Sequence, residues 1–125
     1  MGTVLLYNIS DPQKRVGVLL QLRRFGLRWR EVKPEEQGLP LGFLLGLSGY
    51  EAAGDSEAAA DGRFTDEMLV LYALSGAQFN GLLDGLRRGH TPVALKAVVT
   101  AHNIGWSSAR LHREIAAEHR LMQQR

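Results

Sequence analysis

The sequence predicts an α/β fold, a small four-stranded, mainly parallel sheet with helices on both faces. Three observations carry that prediction. An apolar strand, a capped helix and a second strand follow one another over 3–33, and the same succession returns over 68–99. The runs at 4–9, 68–74 and 93–99 are apolar at successive positions, as strands covered on both faces are. A chain of 125 residues makes one domain, 1–125, able to bury a core without a staple. Cysteine is absent, which removes disulfides, thiolate metal sites and thiol catalysis together and fits a cytoplasmic protein. The start MGTVLLYNIS has no basic region, and no apolar stretch reaches the roughly 18 residues of a spanning helix, so no membrane partner is expected.

The first strand, VLLYNI (4–9), runs into SDPQ, where Ser10 is placed to cap a helix with Gln13 reaching back, and Pro12 suits the first turn. That helix is predicted over 11–25. Val16, Leu19, Leu20, Leu22 and Phe25 form its apolar stripe, Arg23 and Arg24 sit at the negative end of its dipole, and Gly26 ends it. LRWREV (27–32) alternates apolar and charged residues, the pattern of a half-exposed edge strand. The middle region, 39–66, holds a short buried helix in LPLGFLLGLSGY and a mobile acidic loop in EAAGDSEAAADGRFTD.

The second unit repeats the first. MLVLYAL is followed by SGAQ, with Ser75 and Gln78 as a capping box, then by GLLDGLRRG closing at Gly89, then by PVALKAVV. LY at 6–7 lies over LY at 71–72, and GVLLQLRR (17–24) over GLLDGLRR (81–88). A final helix over 107–123 turns Leu111, Ile115 and Met122 inward and pairs Arg110 with Glu114. Two architectures satisfy right-handed crossovers. One is a sheet of four parallel strands ordered 2-1-3-4 between two helical layers; the other is a ferredoxin-like plait with its helices on one face. The strands apolar on both faces and the long 32–68 connection favour the first.

In a parallel sheet the carboxyl ends of the strands share one edge, where open α/β sheets bind ligands. Asn8, Ser10 and Ser75 would meet there beside Thr100, Asn103 and Trp106, with two helix N-termini offering backbone donors to an anion. Lys96 interrupts an apolar strand and has two readings. Its stem can lie along a sheet edge with the ammonium in solvent, or the amine can be desolvated at a cleft and meet an anion. The turn residues also have a structural reading, with Thr100 and Asn103 closing the turn, Trp106 anchoring the next helix and Ser107 or Ser108 capping it. His112 and His119 are two helical turns, about 10 Å, apart and cannot share an ion. There is no phosphate loop, nucleophile elbow or aromatic-rich surface strand. No metal, cofactor or catalytic residue is expected, and an enzymatic reading has little to rest on.

The segments LPLGFLLGLSGY, DEMLVLYALSGAQFNGLLDGLRR and ALKAVVTAHNIGWSSARLHREIAAEH resemble the bacterial family known as domain of unknown function 3783. The resemblance covers most of the chain and is most specific over 95–107. Where its pattern has Thr-Pro, this chain has Thr100-Ala101, so a rigid turn is not essential here. It implies no activity, cofactor or catalytic residue. The leading expectation is a non-enzymatic domain binding an anionic small molecule at the sheet's carboxyl edge. The alternative is a protein-interaction module, homodimeric, using Trp29 on its edge strand or the apolar LPLGFLLGL segment. Nucleic acid is the weakest of the three partners. Residues 51–67 carry six acidic residues against Arg63, a net of −5, which leaves +7 elsewhere, yet no basic run exceeds two residues.

Overall fold

The computed structural model describes residues 2–51 and 64–123; most of the expected acidic loop, 52–63, lies outside the described residues. The elements are β1 (Thr3–Tyr7), α1 (Pro12–Arg24), β2 (Arg28–Val32), a 3-10 turn (Pro34–Glu36), α2 (Leu41–Leu44), β3 (Met68–Tyr72), α3 (Gly76–Arg88), β4 (Leu95–Val98) and α4 (Ser108–Gln123). The sheet order is β2-β1-β3-β4. β1 pairs parallel with β2 and β3 parallel with β4, so the sheet is mainly parallel, as expected. The central pair, β1 with β3, is antiparallel.

That direction corrects the expectation of four strands sharing one carboxyl edge, and it agrees with the described part of the connection. β3 begins at the edge where β1 and β2 end, so the chain after β2 need not cross the sheet. A parallel β3 would need an element spanning roughly 17 Å, the length of a five-residue strand. Among the described residues of the connection the one α-helix, α2, has four residues and rises about 6 Å.

The register exposes a pseudo-twofold axis through the Leu5–Val70 pair. Val4 faces Leu71 and Leu6 faces Leu69, each pair the image of the other. The edge strands obey the same axis. Trp29 pairs with Val4 and Lys96 with Leu69, which makes Trp29 and Lys96 equivalent. The repeat in the sequence is therefore a repeat in space. It places α1 and α3 on one face, where Val18, Leu22, Leu82 and Leu86 pack onto Val4, Leu6, Leu69 and Leu71. The helices approach closely because α3 turns glycine towards α1. A methyl on Gly81 would lie 2.5 Å from the Phe25 ring. On the other face Leu5, Tyr7, Met68 and Val70 are covered by Leu41 and Leu44 of α2 and Leu111 of α4. Helices thus cover both faces, and the apolar 39–47 segment is part of the second core.

Helix ends show where equivalence slips by one residue. Ser75 caps α3, its Oγ accepting from the Gln78 N–H at 3.1 Å while Gln78 Oε1 accepts from the Ser75 N–H at 2.9 Å. In α1 the cap is Asp11, which accepts from the Gln13 N–H at 3.0 Å, and Ser10 is exposed. This corrects the expected Ser10 cap; Pro12 at the first helical position sets the boundary one residue later. Each helix closes with a backbone bond from five residues on, Leu27 to Leu22 in α1 and Thr91 to Leu86 in α3. The left-handed residue is Gly26 in α1 (φ 67°) but His90 in α3 (φ 57°). A side chain there costs about 1–2 kcal/mol, part of which glycine returns through the freedom of its unfolded chain. His90→Gly is therefore expected to raise stability by about 0.5–1 kcal/mol. The check is a higher urea midpoint at unchanged slope; an unchanged or lower midpoint would contradict the strain argument.

Candidate functional site

The antiparallel centre distributes the seven candidate residues over separate places. Asn8 and Ser10 lie where β1 ends and β3 begins, and Ser75 lies at the opposite end of the sheet. Thr100, Asn103 and Trp106 form the turn after β4, against α2. Lys96 stands on the outer edge strand. The structure therefore does not bring Ser10 and Ser75 to one edge, and the two helix N-termini point away from each other.

Most of these side chains are occupied by the fold. Asn8, in the left-handed region (φ 60°), donates from Nδ2 to the Phe64 and Asp66 carbonyls at 3.1 and 3.0 Å. Asn103 Oδ1 accepts from the Thr100 N–H at 2.8 Å, and its Nδ2 donates to the Val98 carbonyl at 3.1 Å. Thr100 Oγ1 accepts from the His102 and Asn103 N–H groups. The Trp106 ring carries the Arg110 guanidinium 4.1 Å from its centroid, so Arg110 serves this contact instead of the expected pair with Glu114. Ser107 Oγ accepts from the Arg110 N–H and caps α4. Backbone bonds from Leu41 and Gly42 to the Trp106 and Ile104 carbonyls fix this turn to α2.

Behind it lies a polar cluster that the sequence reading did not single out. The Tyr7 hydroxyl and Ser108 Oγ share a hydrogen bond of 2.6 Å in the core. Burial pushes the Tyr7 phenol well above its ordinary range, against the smaller opposing effect of Ser108. Phe64 stacks on the His112 ring at 4.1 Å, and His112 Nε2 meets Asp66 Oδ2 at 2.8 Å. Separation in sequence hides such a cluster, since Tyr7 and Ser108 are 101 positions apart.

Lys96 differs from the other candidates. Its ammonium donates to the Val93 carbonyl at 2.5 Å, and burial pulls its pKa below the ordinary lysine value. It borders a groove of about 430 Å³ between α3 and β4, lined also by Leu83, Asp84, Leu86, Arg87, Pro92 and Val93. A second groove, about 500 Å³, runs between Thr65–Glu67, the start of β4 and His119 and Arg120 of α4. Among the described residues no group of three or more His, Asp or Glu is placed to hold a metal ion.

The flank of the first unit carries a different chemistry. Val16 and Leu20 were expected in the buried stripe of α1, but they are 53% and 60% exposed, while Val18 and Leu22 point into the core. The apolar run is simply wider than the face a helix can bury. Trp29 on β2 is 40% exposed. At the end of α4, Met122, expected inward, is 71% exposed. The signal for the α1 flank lay in the repeat, since aligning 17–24 with 81–88 puts Leu20 over Asp84 and, one turn earlier, Val16 over Asn80.

Fold and surface together define a two-unit α/β domain with a mixed sheet, in which the described residues include no helix long and apolar enough to cross a membrane. Residues 67–122, which hold β3, α3, β4 and nearly all of α4, match the model of the family described as Domain of unknown function (DUF3783). No curated protein and no solved structure matched the chain.

Proposed function

We propose that this is a cytoplasmic protein-interaction domain whose docking surface is the α1 and β2 flank of the first unit. One observation carries the reading. At positions equivalent by the internal twofold, α1 shows solvent Val16 and Leu20 where α3 has Asn80 and Asp84, and β2 shows Trp29 where β4 has Lys96. The same fold, in the same molecule, is thus built with a polar flank and with an apolar one. The exchange runs the other way at Val98, exposed where β2 has Glu31, and a single aliphatic residue makes no patch.

Charge selects the partner. Arg23 and Arg24 stand one turn beyond Leu20, whereas Arg15 is engaged by Glu31 at 2.5 Å. The occupant that fits is an acidic amphipathic helix, with leucines for the apolar stripe and carboxylates for the arginines. A second copy of the chain would set these arginines against their own images. An anionic small molecule has less support as the main ligand, because its expected groups are dispersed and mostly hydrogen-bonded within the fold.

The test uses the full chain and a synthetic helical peptide of leucine and glutamate in an amphipathic pattern. Binding is expected, weakening as salt rises, and lost when Val16→Asn and Leu20→Asp copy the α3 surface onto α1. Binding unaffected by those substitutions would refute the assignment of the surface. A dimer of the chain alone that the same substitutions dissolve would make a second copy the occupant.

A further inference from the structure

The groove beside Lys96 lies in the second unit, away from the α1 flank, and its chemistry is specific. Leu86 and Val93 are buried at its base and Leu83 is half-buried, giving an apolar wall. Asp84 is its carboxylate, and that group is held by Arg87 at 2.6 Å and by Arg88 at 3.0 Å. No carboxylate among the described residues pairs with Lys96. The lysine ammonium has three donors and spends one on the Val93 carbonyl. The side chain is exposed, so a positive charge stands at the side of an apolar groove with no carboxylate partner among the described residues.

We propose that this groove binds a small monocarboxylate with an apolar body, its carboxylate accepting from the Lys96 ammonium and its hydrocarbon part lying on Leu83, Leu86 and Pro92. The volume, about 430 Å³, is that of a small-molecule site. The apolar wall favours a ligand whose body is hydrocarbon and whose charge is confined to one carboxylate at Lys96, which a phosphate is not. The desolvation that lowers the Lys96 pKa is relieved when an anion pairs with it. The first unit has Trp29 and Leu20 at the positions of Lys96 and Asp84, so it lacks the charged groups of this site. Every residue of the groove falls within the 67–122 family match.

The experiment is an amide-resolved NMR titration of the full-length chain with phenylacetate, with phenylacetamide and inorganic phosphate as controls. Phenylacetate is expected to shift the amides of Leu83, Arg87 and Val93 to Ala97 saturably. Lys96→Met should weaken binding at least about tenfold, the loss of one charge-assisted hydrogen bond, while Lys96→Arg stays within a few-fold. Phenylacetamide should bind at least about tenfold more weakly, and phosphate should leave these amides unmoved. Equal binding by Lys96→Met, whose folding is verified by its melting curve, would overturn the proposal. So would equal binding of the amide, shifts confined to the Thr65 and His119 groove, or the absence of a saturable shift at millimolar ligand.

Discussion

Leu5→Ala is expected to cost about 3–5 kcal/mol, the range of large-to-small changes that leave a cavity in a closed core. Leu5 is fully buried and sits on the pseudo-twofold axis opposite Val70, under the layer formed by α2 and α4. Since small domains are stable by only about 5–15 kcal/mol, this one side chain decides a large share of the balance. Leu20→Ala provides the contrast. The residue is chemically identical but 60% exposed, and its truncation should move stability by no more than about 0.5 kcal/mol. Urea unfolding of both variants separates the two cases. A cost below about 1.5 kcal/mol for Leu5→Ala would mean that the site collapses around the smaller side chain and that the second layer is not the closed core described. The pair also serves the functional argument, because Leu20 must be dispensable for folding if its purpose is a partner.

Much of this fold was legible because it is local. The apolar strands, the Ser75 and Gln78 box, the glycine after α1 and the alternation of β2 each depend on residues a few positions apart, and they stand where the sequence placed them. The order 2-1-3-4 was one of two arrangements that right-handed crossovers allow, favoured by the strands that are apolar on both faces. Strand direction at the centre was not legible, because VLLY and MLVLY are apolar on both faces whichever way they run. The direction turns on what lies between the two units, and among the described residues LPLGFLLGL holds a helix of four residues where it reads as longer. The candidate site suffered from the same step. Ser10 and Ser75 were joined by an assumed common edge, and reversing one pair of strands separated them. Lys96 could be singled out because its argument rested on a charge in an apolar strand, which is local. Val16 and Leu20 were misread for the opposite reason. Hydrophobicity on a helix does not require burial, and the aligned second helix, with Asn80 and Asp84, marks the positions that the core does not need.

Gln37→Ala is expected to destabilise the domain by about 2–3 kcal/mol, although no apolar contact is lost. Gln37 is 1% exposed and behaves as a clasp. Its Nε2 donates to the Phe64 carbonyl at 3.2 Å, its Oε1 accepts from the Phe64 N–H at 3.1 Å, and its own carbonyl accepts from the Ala109 N–H at 3.0 Å. One residue thus ties the segment leading into β3 to the first turn of α4, and brings the Phe64 ring to within 5.5 Å of the Tyr7 ring. Alanine leaves the Phe64 N–H without its acceptor, whereas the Phe64 carbonyl keeps its bond from Asn8. The cost should therefore appear locally as lost hydrogen-exchange protection at Phe64 and globally as a lower unfolding midpoint. Gln37→Glu sharpens the test. An ionised carboxylate at this buried position still accepts from the N–H, but it repels the carbonyl and is poorly solvated, so its pKa in the fold must lie above the ordinary glutamate value. The neutral acid can both donate and accept, as glutamine does. A group whose folded pKa is raised contributes its stability below the unfolded pKa and loses it as pH rises through the folded value. Relative to the wild type at each pH, Gln37→Glu should thus be clearly weaker at neutral pH and recover as the pH falls towards the ordinary carboxylate range. A deficit that stays constant with pH would show that Gln37 acts by its shape alone.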